Sequence, residues 1–205
     1  HYVFRMLYSQ GIPLSDLGVG SLGQDANPRE VFQIFAAHWH LFFGTPSRTW
    51  IDYVLRETLQ IKLGLSAFTA DSIYDQIVEK LAQDDHLPRA LFDRFNIETL
   101  ATTDTALANL GHHKAIGDSG WGGRVLPTFR PDGVLDAIDP NFVQNLRDLS
   151  QLTGCDLGSY NGYLEALRSR RKYFVAMGAT ATDHAIEVIH TECLGDPEVI
   201  YQRLR

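Results

Sequence analysis

The sequence predicts an α/β chain in two parts, a helical segment over residues 1–94 and a β/α segment over 95–205 with about three parallel strands. Two observations carry this reading. In the first part, apolar side chains recur at three- and four-residue spacing, the period of a helix with one buried face. From Phe95 onward short apolar runs appear instead, each followed by polar residues and then by a helical pattern. That order is the one a parallel sheet requires, and its strands, buried on both faces, lack strict alternation.

Helix starts are marked by four capping residues that directly precede a proline: Asn27-Pro28, Thr45-Pro46, Asp139-Pro140 and Asp196-Pro197. Proline fits the first helical position because its missing N–H would be unpaired there, while the preceding side chain caps the next amides. Each pair therefore predicts a helix. Over Asp71–Gln83 the set Ile73, Tyr74, Ile77, Val78 and Leu81 predicts one buried stripe. Residues 46–61 read the same way, led by Trp50, Val54 and Ile61, and stop at Gly64. No strand is predicted before residue 95.

The first apolar run, Ile97–Ala101, predicts a strand near 97–102 that ends in Thr102-Thr103-Asp104. The second, Arg124–Phe129, ends in Arg130-Pro131-Asp132, and the third, Tyr173–Met177, leads through Gly178 to Thr182-Asp183-His184. Between the last two lie helical patterns carried by Phe142, Leu146 and Leu149, then by Tyr160, Tyr163, Leu164 and Leu167. In parallel α/β folds chemistry sits at the carboxyl ends of the strands. Asp and Thr there can simply cap the next helix. Arg130 cannot, because a cap needs an acceptor and arginine has only donors. An arginine between Phe129 and Pro131 at a strand end suits a bidentate grip on a carboxylate. Asp104 and His184 are further candidates from strand-end position alone.

Composition narrows the partners. Carboxylates outnumber Lys plus Arg by 25 to 18, for a net charge of -7, so no basic excess exists to bind a phosphate backbone. No apolar stretch approaches the roughly 20 residues that span a bilayer. Neither nucleic acid nor membrane is expected. Cys155 and Cys193 form no zinc spacing and read as buried thiols in a reducing, cytoplasmic compartment. His38-Trp39-His40 places its histidines two apart at a helix end, where they diverge by about 200°, and His112-His113 are adjacent. Both pairs read as partner-satisfied or loop histidines, so no metal site is expected. The run Arg168, Arg170, Arg171, Lys172 reads as a solvated helix end, favourable against the dipole. Gly117–Gly123 precedes a strand and reads as a loop, since a phosphate cradle follows a strand and opens a helix.

Taken together and in order, HYVFRMLYSQGI, HWHLFFGTPSRTW, RFNIETLATTD, RVLPTFRPD and GATATDHAIEV make the chain resemble the uronate (glucuronate) isomerase family of the amidohydrolase superfamily. The resemblance runs through nearly all of the chain. It implies part of a (β/α)8 TIM-type barrel with an N-terminal helical insertion. The implied activity is aldose–ketose isomerisation of D-glucuronate to D-fructuronate, and of D-galacturonate to D-tagaturonate, with a hexuronate as small-molecule partner and homo-oligomerisation left open. His1 and Tyr2 match the family's catalytic His-Tyr pair, the tyrosine being implicated in proton transfer. Arg130 matches the arginine that pairs with the sugar-acid carboxylate, with Asp104 and His184 beside it as substrate-binding candidates. An unperturbed phenol, with a pKa of about 10, is a poor base at neutral pH; Tyr2 would therefore act mainly as an acid or need a depressed pKa.

The resemblance also implies what lies outside the chain. The family's H-x-H metal pair falls upstream of His1, and its later histidine and last-strand aspartate fall beyond Arg205. Any zinc of the full-length family therefore has no ligand here, and the chain is expected to be the central portion of a longer enzyme. Two other readings keep the fold: a metal-dependent hydrolase whose metal ligands come from further chain, and a non-catalytic sugar-acid-binding fragment. For the 205-residue chain expressed alone, the expected outcome is no ketose formation from D-glucuronate and poor solubility, because an open sheet leaves unpaired edges. Turnover by the isolated chain would contradict that expectation.

Overall fold

The computed structural model describes residues 2–20, 26–185 and 195–204. The chain divides into two compact units, His1–Leu91 and Phe92–Arg205.

Among the described residues of the first unit, the regular structure is all helical. α1 spans Tyr2–Ser9, α2 Pro28–Ala37, α3 Pro46–Tyr53 and α4 Ala70–Leu81, and α5 (Pro88–Arg94) crosses into the second unit. Three of the four proline signals work as read, two of them in this unit and the third at Asp196-Pro197, where Asp196 Oδ1 accepts from the Glu198 N–H. The Asn27 side chain accepts from the Arg29 N–H and that of Thr45 from the Arg48 N–H, with Pro28 and Pro46 opening the helices. α3 then widens into a π-turn, Val54–Thr58. Leu7, Ala36, Phe42, Ile61 and Ile73 are fully buried, and the Phe35 ring packs edge-on against Trp39 and Phe42 at 5.3 and 5.5 Å. Arg29 ties α2 to α4 through Asp71 and Asp75 and lies 4.5 Å over the Tyr74 ring.

The apolar stripes are narrower than the sequence suggests. On α4 the inward line is Ala70, Ile73 and Ile77, whereas Val78 and Leu81 are both 53% exposed. Val78 stands about 100° round the helix from Ile77, and Leu81 is the last helical residue. Trp50 is likewise exposed on α3.

In the second unit, β1 (Leu100–Thr105) pairs in parallel with β2 (Val125–Arg130), Leu100 opposite Val125 and Thr105 opposite Arg130. The crossover carries α6, Gly111–Asp118. After β2 come a short α7 (Asp132–Leu135), α8 (Phe142–Thr153), α9 (Tyr160–Ala176) and α10 (Pro197–Leu204). β1 begins three residues later than read and takes in the polar Thr102–Thr105, which therefore cap nothing. α8 starts at Phe142 rather than at Pro140, because the Asp139 carboxylate accepts from the Asn141 N–H and its carbonyl from the Phe142 N–H, a turn that precedes the helix.

The predicted strand at 173–178 is a helix end. Tyr163, Ala166, Arg170 and Phe174 are buried at three- and four-residue spacing along α9, and Gly178, at φ 95°, lies just beyond its end. The segment that pairs with β2 comes later, where Thr182 bridges Phe129 in parallel. The stripe was hidden because one of its positions is a charged residue. Arg170 is buried, not solvated as the basic run suggested. Its Nε and Nη2 donate to the carbonyls of Ala106 and Ala108 at 2.7 and 2.6 Å, and its guanidinium lies 4.4 Å over the Tyr173 ring. Tyr173 OH donates to the Asn109 carbonyl. Two residues of α9 thus hold the loop that leaves β1.

Close approach fixes two glycines. A Cβ at Gly123 would meet the Trp121 ring at 2.2 Å, and one at Gly162 would lie 1.8 Å from the Asp156 carbonyl oxygen. Trp121 itself packs edge-on against Phe92 at 4.9 Å, so the glycine-rich loop is packed down onto the unit. Because backbone must move to admit it, Gly162→Ala should destabilise an enzyme carrying this chain by about 1–3 kcal/mol or more, read as a lower thermal midpoint. Gly117→Ala, which meets nothing within 4 Å, should leave the midpoint unchanged or raise it. Equal loss in both variants would contradict the packing account.

Candidate active site

Phe129 decides which side of the sheet is available. Its ring is buried against Phe174 of α9, centroids 5.0 Å apart. Side chains alternate along a strand, so Arg130 leaves the opposite face, beside Thr105 of β1. On the other side of β2, the Phe129 N–H donates to the Ala181 carbonyl, and the Asp183 N–H to that of Phe129. With Thr182 opposite Phe129, Asp183 comes level with Arg130. Three strand-end positions therefore line one face: Thr105, Arg130 and Asp183.

The Arg130 guanidinium is shared between two carboxylates. Its Nε donates to Asp132 Oδ2 at 2.6 Å, and its Nη1 lies 3.4 Å from Asp183 Oδ2. Asp132 is the hub: Oδ2 also accepts from the Ala185 N–H at 3.0 Å, and Oδ1 lies 3.7 Å from His184 Nδ1. Burial works to raise the Asp132 pKa, but the hydrogen bonds from Arg130 and Ala185 outweigh it and hold the carboxyl below its ordinary value. The Asp132 bond in turn holds the Arg130 pKa above its ordinary value. The charged groups here are 38% exposed at Arg130 and 25% at Asp132, so a ligand can reach the guanidinium.

Arg130 and His184 are thus brought together, through Asp132. Asp104 is not. It sits opposite Phe129 in the register, on the helix-covered face. There Thr102 Oγ1 donates to Asp104 Oδ2 at 2.6 Å, and His113 Nε2 lies 2.8 Å from the same hydroxyl. Since the hydroxyl proton points to Asp104, the imidazole is the donor in the second contact. The trio joins β1 to α6, and Asp104, one position before the partner of Arg130, takes the other face of the strand. Tyr2 belongs to α1 of the first unit, with its side chain 75% exposed. His1 and Cys193 lie outside the described residues, and Cys155 is half-buried with a free thiol.

One oxygen each of Asp132 and Asp183 faces the Arg130 guanidinium, and among the described residues no three His, Cys, Asp or Glu side chains converge as a metal ion requires. The histidines of the H-x-H pair follow the end of α2, where His38 Nδ1 contacts the Ile34 carbonyl at 2.8 Å and the ring stacks on His40. No helix among the described residues is long and apolar enough to cross a membrane.

Comparison with known proteins decides the family. The glucuronate isomerase profile matches residues 1–202. The chain belongs to the glucuronate isomerase family. Within the family it is 50% identical to the uronate isomerase of Rhizorhabdus wittichii over 207 residues, covering 100% of this chain and 44% of that protein. The uronate isomerase of Sphingopyxis alaskensis is 53% identical over 188 residues, covering 90% of this chain and 40% of the relative. Glucuronate isomerase from Caulobacter crescentus superposes with a TM-score of 0.92 at 44% identity, over 100% of this chain and 43% of that one. The uronate isomerase structure from Thermotoga maritima shares the fold, with a TM-score of 0.86 at 24% identity. The chain thus spans under half the length of these relatives, and its fold is part of an α/β barrel.

Sequence reasoning passed over Asp132 and Asp183. The signal for Asp132 was present, since a carboxylate two residues past Arg130 can turn back onto it. Because its folded pKa is depressed below the unfolded value of about 3.9, ionised Asp132 stabilises the fold above that pH. The contribution disappears as pH falls through the folded value. Asp132→Asn should therefore melt below the parent at neutral pH, with the gap closing on acidification below about pH 4. A gap that persists unchanged at low pH would contradict the assignment.

Proposed function

We propose that an enzyme carrying this chain interconverts aldose and ketose hexuronates, D-glucuronate with D-fructuronate and D-galacturonate with D-tagaturonate. Membership of the glucuronate isomerase family over residues 1–202 is the observation that supports this most. In the reaction one proton moves from C2 to C1 and one from O2 to O1 through an enediol, and nothing is oxidised or reduced outside the sugar. The carboxylate at C6 takes no part and serves as a handle. Arg130 is the residue suited to hold it: a strand-end guanidinium on the uncovered face of the sheet, fixed through Nε by Asp132. His184, against the other oxygen of Asp132, lies at the same position.

Tyr2 and His1 are proposed to serve proton transfer, on the resemblance alone, and Asp104, bonded to Thr102, is proposed to support β1 rather than to touch the substrate. That any zinc of the full-length enzyme takes its ligands from elsewhere in the enzyme is likewise proposed on the resemblance alone. The substrate is a small sugar acid in a cytoplasmic enzyme, with self-association left to measurement.

Incubation of the full-length enzyme with D-glucuronate should yield the ketose. Arg130→Ala should raise KM for uronates by about ten-fold or more, the loss of one charge-assisted contact. No ketose, alongside hydrolysis of an amide or lactone, would overturn the isomerase reading; an unchanged KM would remove the carboxylate role of Arg130.

A further inference from the structure

The anion site at Arg130 already contains an anion of the chain's own. Two carboxylates face one guanidinium, so Asp132, Asp183 and Arg130 sum to a charge of one minus, a poor welcome for a sugar acid. The two carboxylates are not equivalent. Asp132 is bonded at 2.6 Å by Arg130 Nε and at 3.0 Å by the Ala185 N–H, and is 25% exposed. Asp183 is 47% exposed and stands 3.4 Å from Nη1, longer than the roughly 2.7–2.9 Å of a strong charge-assisted bond. One carboxylate builds the site; the other merely occupies its outer edge.

Building on the proposed uronate reading, we propose that Asp183 is an internal competitor for the substrate carboxylate, paired with Arg130 when the site is empty and displaced when a uronate binds. Nη1 faces solvent-accessible Asp183, whereas Nε is held by the less exposed Asp132, so the Nη1 side of the guanidinium is the one an incoming carboxylate can take. A ligand that makes two parallel bonds there outcompetes a single long one. Another titratable group near the segment acts on the same balance. His184 Nδ1 lies 3.7 Å from Asp132 Oδ1, while Arg168 and Arg171 of α9 line a cavity with Phe129 and Thr182 on the other face of the sheet. Asp183 thereby sets a threshold. It disfavours neutral aldoses not at all, and it weakens every carboxylate ligand by the strength of the displaced pair.

Methyl β-D-glucuronide keeps the carboxylate but cannot open to react, so its binding reports on the site whether or not the enzyme turns over D-glucuronate. Calorimetry on the full-length enzyme should show it binding Asp183→Asn about two- to five-fold more tightly than the parent, the range of an exposed ion pair. Asp183→Glu should compete harder for the guanidinium and bind the glycoside more weakly. In turnover, KM for D-glucuronate should fall in Asp183→Asn, the signature of a competitor removed from the binding step. Weaker glycoside binding by Asp183→Asn would overturn the proposal and make Asp183 a substrate-contacting residue. Absence of turnover in the parent would count against the isomerase reading and leave the glycoside result to decide the role of Asp183.

Discussion

The second unit is organised by the fixing of Phe129 in its core. A strand cannot bury one residue without turning its neighbour the other way. With Phe129 against Phe174, Arg130 must leave the uncovered face, and the parallel register then decides which residues of the flanking segments join it. Thr105 comes level on one side and Asp183 on the other. The same constraint excludes Asp104, which shares its face with Phe129 and is absorbed into the contacts with Thr102 and His113. A slip of one residue in either pairing would invert this assignment.

Two arginines do opposite work around that strand. Arg170 is buried, its charge taken up by the carbonyls of Ala106 and Ala108 and by the Tyr173 ring, so it holds the loop after β1 and has no ligand to offer. Burial lowers its pKa, with Tyr173 acting against the shift, which fits a role in anchoring backbone. Arg130 is accessible and ringed by carboxylates, which orient it and limit how strongly it attracts an anion. Asp132 is central to that arrangement because it joins the end of β2 to the backbone of the next segment at Ala185.

Much of this was legible in the residues. The Asn27-Pro28 and Thr45-Pro46 starts, the buried Phe142, Leu146 and Leu149, and the strand-end arginine follow from short-range rules that tertiary context did not override. Two failures share a cause: a periodic pattern interrupted by a residue of the wrong polarity. Arg170 at a core position broke the stripe of α9 and made Tyr173–Met177 look like a strand. The polar Thr102–Thr105 were taken for the residues after β1 when they are its second half. The face taken by Asp104 has a different reason, since sequence shows that a residue is near a strand end but not which face it takes. That depends on a partner 25 residues away, Phe129, and on a helix further still.

The family places this chain within a barrel, and on the proposed reading a sugar acid meets Arg130 on the strand-end face opposite Phe129. The most direct test is the crystal structure of the full-length enzyme with methyl β-D-glucuronide bound. The account predicts the carboxylate paired with the Arg130 guanidinium on its Nη1 side, Asp132 still bonded to Nε, and Asp183 turned away. A carboxylate seated on other residues, with the Arg130–Asp183 pair intact, would contradict it.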